Sequence, residues 1–127
     1  IAAKRVIDCR PFKPSKKLAG GWQVFLGQHF KCERAHGLTR PVIMDASVDQ
    51  HAPHGNGEAY RFVYVLPLSE DEVFIEDTYY ADQPKMDAEV LKSRVAAYAR
   101  ANGWKGAVID QEAGILPVIS GGDFAAA

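Results

Sequence analysis

The chain has 127 residues, 47% of them hydrophobic and 24% charged, with a formal net charge of −1. That is the size of one compact domain, and the apolar share excludes a disordered chain. Fifteen basic residues against sixteen acidic ones leave no positive surplus to neutralise phosphates, so no nucleic-acid partner is expected.

Two cysteines, Cys9 and Cys32, are too few for a disulfide framework, and no CxxC or Cys/His cluster supplies four zinc ligands. No metal is expected, and a reducing cytoplasm is the expected compartment. No run approaches the ~18 consecutive apolar residues of a membrane span, and residues 1–5 lack the order of a signal peptide. The chain starts without Met and ends in three alanines, and it reads as a piece of a longer protein.

Residues 6–9 read as a short strand, and residues 10–17, with two prolines and four basic side chains, as an exposed connection. Residues 21–33 mix aromatic and apolar side chains and predict one long strand or two short ones, with Gly27 marking a bulge or a close approach. In residues 41–48, Val42, Met44, Ala46 and Val48 share one face of a half-buried strand, and Ile43, Asp45 and Ser47 the other. The Pro, Gly and Asn cluster in 51–58 predicts a hairpin loop, followed by a partner strand over 60–68 that is apolar on both faces. A polar turn at 69–72 and a strand over 73–80 complete an antiparallel meander.

Asp87 is a candidate N-cap for a helix reaching Asn102, with Leu91, Val95 and Tyr98 at helical spacing, Lys92, Arg94 and Arg100 outward, and Gly103 as the stop. Residues 107–112 and 114–120 read as two short strands. The expected class is α+β: an antiparallel meander covered by one main helix. Residues 1–20 form an entry segment, 21–120 the α+β domain and 121–127 a tail.

The strand over 73–80 carries two adjacent carboxylates, Glu76 and Asp77, among apolar and aromatic neighbours. Strand alternation places Glu76 with Phe74, Thr78 and Tyr80, and Asp77 with Val73, Ile75 and Tyr79, so only one of them enters a given cavity. Either both make ordinary hydrogen bonds at an exposed strand end, or one is buried and its pKa raised. Arg61, between Tyr60 and Phe62, either pairs a carboxylate such as Glu76 or Asp45 or snorkels from an edge. Asp45 and Asp49 read as solvated. His29, His36, His51 and His54 lack metal-ligand spacing and read as surface or hydrogen-bonded residues. No GxGxxG, GxxxxGK[ST] or GxSxG motif occurs, so the chain itself offers no dinucleotide loop and no nucleophile elbow.

Five strings in order, HGLTRPVIMDASVDQ (36–50), YRFVYVLPLS (60–69), FIEDTYY (74–80), GW (103–104) and GILPV (114–118), resemble the middle portion of the bacterial-type lycopene β-cyclases. The resemblance covers most of residues 21–120. It implies the substrate domain of a hydroxylase-like FAD flavoprotein, preceded by a nucleotide-binding domain that residues 6–8 leave. The implied reaction is acid-catalysed closure of lycopene end groups to β-ionone rings, an isomerisation without net redox change.

By this resemblance Glu76 matches the family's acidic position and is the proton donor, with Asp77 as flavin-side or structural partner; the two roles are interchangeable at this stage. Arg61, Tyr64, Phe74 and Thr78 are the implied substrate contacts. Reduced FAD is the implied cofactor, NAD(P)H its reductant, a carotenoid the substrate, and peripheral membrane contact the implied placement of the whole enzyme. The sequence departs from the family in lacking the GxGxxG domain and the C-terminal region, and in carrying Glu58-Ala59 where Asp-Gly is usual. The isolated chain is therefore expected to be inactive. Two rival readings are the substrate domain of a flavin-dependent hydroxylase and a non-catalytic module for apolar isoprenoids.

Overall fold

The computed structural model describes residues 4, 5, 7, 15–51, 53 and 59–124. Five strands, β1 (Leu18–Cys32), β2 (Val42–Asp45), β3 (Arg61–Pro67), β4 (Glu72–Ala81) and β5 (Gly106–Gly122), form one sheet in the order β2-β3-β4-β1-β5. Every neighbouring pair is antiparallel. One helix, α1 (Ala88–Ala101), lies between β4 and β5 in sequence and packs on β1 and β4. The α+β class expected from the sequence is the one observed. Most of the expected strand at 6–9, of the connection over 10–17 and of the loop over 51–58 lies outside the described residues.

The core is a single layer between α1 and one sheet face. Val24, Leu26, Val63, Val65, Val73 and Ile75 from the strands meet Leu91, Val95 and Ala99 from the helix, all of them buried. Each large aliphatic side chain buried here contributes about 1.5–3 kcal/mol, which is what holds an otherwise marginal helix on the sheet. The Asp87 carboxylate accepts from the Val90 amide at 3.1 Å and caps the helix start. At the other end Gly103 takes φ 73°, which lets the chain leave the helix without a Cβ clash. Asp87→Ala should cost about 1 kcal/mol of stability, read as a lower urea midpoint at unchanged slope.

Four expectations need correction. The alternating strand at 41–48 is shorter than its pattern: pairing stops at Asp45, with a register shift after Val42 and Met44 at φ 55°. The cause is local, because the Asp45 side chain accepts from the Ser47 amide at 2.9 Å and hydroxyl at 2.6 Å, an Asx-type turn that competes with the ladder. The two short strands at 107–112 and 114–120 are one 17-residue strand. Gly114 does not break it, since the Phe25 ring on β1 lies where a Cβ at Gly114 would sit, 2.6 Å from its Cε1. Arg94 is turned inward rather than outward, and its Nη2 donates to the His51 carbonyl at 2.7 Å. The buried third turn of the helix is made by Ala99, while Tyr98 lies half-buried and donates its hydroxyl to Asp45 at 2.8 Å.

Residues 21–33 resolve as one strand, already paired from Leu18. Gly27 marks a close approach, with no register shift at that residue. A Cβ there would lie 2.1 Å from Cζ of Phe74, so the missing side chain is what lets that ring settle on β1.

Candidate active site

Register places Glu76 and Asp77 on opposite faces. Asp77 stands opposite Val63 on β3 and Leu26 on β1, under the helix. Glu76 stands opposite Tyr64 and Gly27, on the face that α1 does not cover. Phe74 and Thr78 flank Glu76 on that face, and Glu112 of β5 occupies the same cross-strand row beyond Gly27.

Asp77 is fully buried and Arg61 is 5% exposed. The Arg61 Nε donates to both Asp77 oxygens, at 3.0 and 2.9 Å, and its Nη2 also bonds Oδ2. The Arg61 Nη1 reaches the Asp49 carbonyl at 2.9 Å. Burial pushes the Asp77 carboxyl up, opposed by the bonded guanidinium of Arg61 and by Arg94 nearby. Such a pair fixes the β3–β4 register and ties the segment before β3 to the sheet. Gln50 adds to this: its Nε2 donates to the Arg61 carbonyl at 2.7 Å and its Oε1 accepts from the Arg61 amide at 3.0 Å, so a side-chain amide continues the ladder where backbone pairing has stopped.

Glu76 has a different environment. It is half-buried, and burial raises its pKa above the ordinary 4.5, with the like charge of Glu112 pushing the same way and the Thr78 hydrogen bond opposing. The Thr78 hydroxyl, itself fully buried, donates to Oε1 at 2.7 Å. With Oε1 engaged as acceptor, Oε2 is the oxygen left to carry a proton. Tyr64 and Phe74 supply aromatic surface on either side of this carboxyl. A carboxyl whose pKa burial raises, set beside aromatic side chains, has the groups needed to protonate an apolar substrate and to stabilise a cation formed there.

The raised pKa makes stability pH-dependent with a definite sign. Unfolding returns Glu76 to its ordinary value, so the neutral form stabilises the fold below that value, and this contribution is lost as pH rises through the folded one. Glu76→Gln removes the loss while keeping an acceptor for Thr78. The variant should therefore melt higher than the parent near neutral pH, and the gap should close by about pH 4. A gap that widened toward acid would mean that Glu76 is stabilised as a carboxylate.

Of the six residues singled out from the sequence, the structure brings Glu76, Tyr64, Phe74 and Thr78 together on one face and joins Asp77 to Arg61 on the other. Glu112, Gln50 and Phe25 carried no sequence signal, because their places depend on pairings between distant strands. His36 is buried with both ring nitrogens engaged: Nδ1 accepts from the Leu38 amide at 3.0 Å, so Nε2 donates to the Ser69 carbonyl at 2.7 Å. Cys32 is buried and its thiol pKa is raised by burial, which makes it a poor nucleophile. Among the described residues no three His, Cys, Asp or Glu side chains gather as metal ligands, and no helix is long and apolar enough to cross a membrane.

Comparison with known proteins gives one family. The chain is 42% identical over 127 residues to a lycopene beta-cyclase of Pseudescherichia vulneris and 42% identical over 125 residues to one of a Paracoccus species. It is 41% identical over 124 residues to a lycopene beta-cyclase of Pantoea ananas. These alignments cover 99, 98 and 97% of this chain but 31% of each relative, so the chain spans about a third of the length of the curated relatives it matches. No solved structure matches it. The family model described as lycopene cyclase protein matches residues 1–127, and the chain belongs to that family.

Proposed function

We propose that this chain is the part of a lycopene β-cyclase that holds the proton donor, and that Glu76 is that donor. The observation that carries the reading is the separation of the two neighbouring carboxylates: Asp77 is committed to Arg61 beneath the helix, while Glu76 lies among aromatic side chains on the uncovered face with its pKa raised.

The chemistry follows from the groups present. The neutral carboxyl of Glu76 delivers a proton from Oε2 to the terminal alkene of the linear carotenoid, leaving a tertiary carbocation and a carboxylate held by Thr78. A neighbouring double bond of the substrate attacks the cation and closes the six-membered ring, and transfer of a ring proton to the Glu76 carboxylate left by the first step gives the β-ionone end group and restores the acid. One proton is gained and one lost, so the product is an isomer of the substrate. The faces of Tyr64 and Phe74 stabilise the positive charge where water would quench it.

Reduced FAD, supplied with electrons by NAD(P)H, belongs to this proposal, but this chain does not fit its pyrophosphate. The sequence has no GxGxxG, and the one helix among the described residues begins on Asp87 and Glu89, whose carboxylates disfavour an anion at that end. In this reading residues outside this chain hold the cofactor. A cytoplasmic enzyme in peripheral contact with a membrane is the matching placement for so apolar a substrate.

The test is carotenoid analysis of lycopene-accumulating cells expressing the full-length parent. Conversion to β-ringed products is expected. A well-expressed, flavin-loaded parent that leaves lycopene unchanged would return the chain to the hydroxylase or isoprenoid-binding reading.

A further inference from the structure

The aromatic side chains on the uncovered face form one contiguous row that begins at Glu76. Tyr64, directly across from Glu76, meets Phe62 edge-on at 5.3 Å between ring centroids. Phe62 meets Tyr80 at 5.9 Å and Tyr60 at 5.6 Å, and Tyr60 and Tyr80 stack at 6.0 Å with 14° between their planes. Phe62 is 1% exposed, whereas Tyr60 is 51% and Tyr80 37% exposed, so the inner ring is a floor and the outer rings are presented. Glu76 and Tyr80 are four residues apart on one strand face, a span of about 13 Å.

The row does not end blindly. Tyr60 and Tyr80 also line a cleft of about 570 Å³ that crosses the strand ends and is bounded by Trp22, Tyr79 and Lys85. On the other side of Glu76 the Phe74 ring lies over Gly27, which continues the apolar surface without a step. A carboxyl, a line of touching rings and a cleft thus form a single surface.

We infer that this row is the seat of the substrate's extended conjugated chain, with the reacting end group at Glu76 and the chain running over Tyr64, Phe62, Tyr80 and Tyr60 into the cleft. The inference rests on the reading of Glu76 as proton donor and adds what sets the substrate's position. A linear hydrocarbon offers no hydrogen bond by which to orient it, so its placement comes from dispersion and from ring faces matched to its flat π-system. A row of rings that leads from the acid into a cleft sets how far the chain extends past Glu76, and so which carbons lie beside its carboxyl. Tyr60 and Tyr80 are therefore substrate-binding residues far along the strand from the proton transfer.

The experiment uses the full-length protein and lycopene in detergent micelles as the probe. In the Glu76→Gln background, lycopene binding is followed through the shift of its visible absorption, with Tyr60→Ala, Tyr80→Ala and both together. Each truncation should weaken binding about two- to tenfold, and Tyr80→Phe, which keeps the ring, should restore it. In the Glu76 protein the same truncations should act mainly on KM, and the deficit should shrink as the acyclic substrate is shortened. Both side chains are well exposed, so truncation opens no core cavity, and unchanged melting confirms the fold. Parent-like affinity in the folded double variant would overturn the track and assign the rings to packing against the rest of the protein. A Glu76→Gln protein that still closes rings would instead overturn the donor assignment, and the affinity ratios among the tyrosine variants would still decide the track.

Discussion

Glu76→Gln in the full-length protein should lower ring closure about 10²- to 10⁴-fold, the range over which a positioned general acid acts. The substitution is close to isosteric. A glutamine oxygen accepts the Thr78 hydroxyl as Oε1 does now at 2.7 Å, so the side chain keeps its place while losing the proton it would donate. Binding of lycopene should survive, since the aromatic surface is untouched. The measurement is the ratio of β-ringed to linear carotenoid in extracts of lycopene-accumulating cells, normalised to folded protein. Parent-like ring closure by this variant would remove Glu76 from the mechanism.

Breaking the buried pair from either side should be the largest single loss of stability: Arg61→Ala or Asp77→Asn each costs about 3–5 kcal/mol, because each leaves the other group buried without its counter-charge. Against the roughly 5–15 kcal/mol that holds a typical domain together, this is enough to deplete folded protein. Both residues lie in the interior, 5% and 0% exposed, where water does not screen the loss. In Asp77→Asn the damage is compounded by Arg94, the second cation that faces Asp77. Replacing both partners together, Arg61→Met with Asp77→Leu, should recover a large part of the loss, since no charge is then left unpaired. Chemical denaturation of the single and double variants gives the coupling directly. Single variants as stable as the parent would show that the pair does not hold β3 to β4.

These two predictions concern adjacent residues of one strand, and the contrast between them shows how far the sequence reaches. Period-two alternation alone states that Glu76 and Asp77 face apart. Which face the helix covers is not contained in that statement. It follows from Leu91, Val95 and Ala99 docking against Val73 and Ile75, and that docking converts Asp77 into a buried ion-pair partner and leaves Glu76 on the uncovered face. Arg61 shows the same limit. The sequence admitted Glu76, Asp45 or solvent as its partner, and the β3–β4 register selects Asp77.

The elements that the sequence by itself determined are those specified by contacts close in the chain: the helix from its Asp87 cap to its Gly103 exit, the strand over β4, and the order of the motifs that mark the family. The tertiary structure decided everything that depends on residues far apart in the chain. The break expected between residues 112 and 114 vanishes once the Phe25 ring of β1 fills the empty side of Gly114, and Gly27 acquired its meaning from Phe74 of β4. The row of rings leading from Glu76 likewise exists only once β3 and β4 are in register. Local periodicity sets which residues share a side, because it follows from backbone geometry. Which side is covered, and which distant residue stands opposite, is set by long-range pairing and packing, whose free energy no single segment contains.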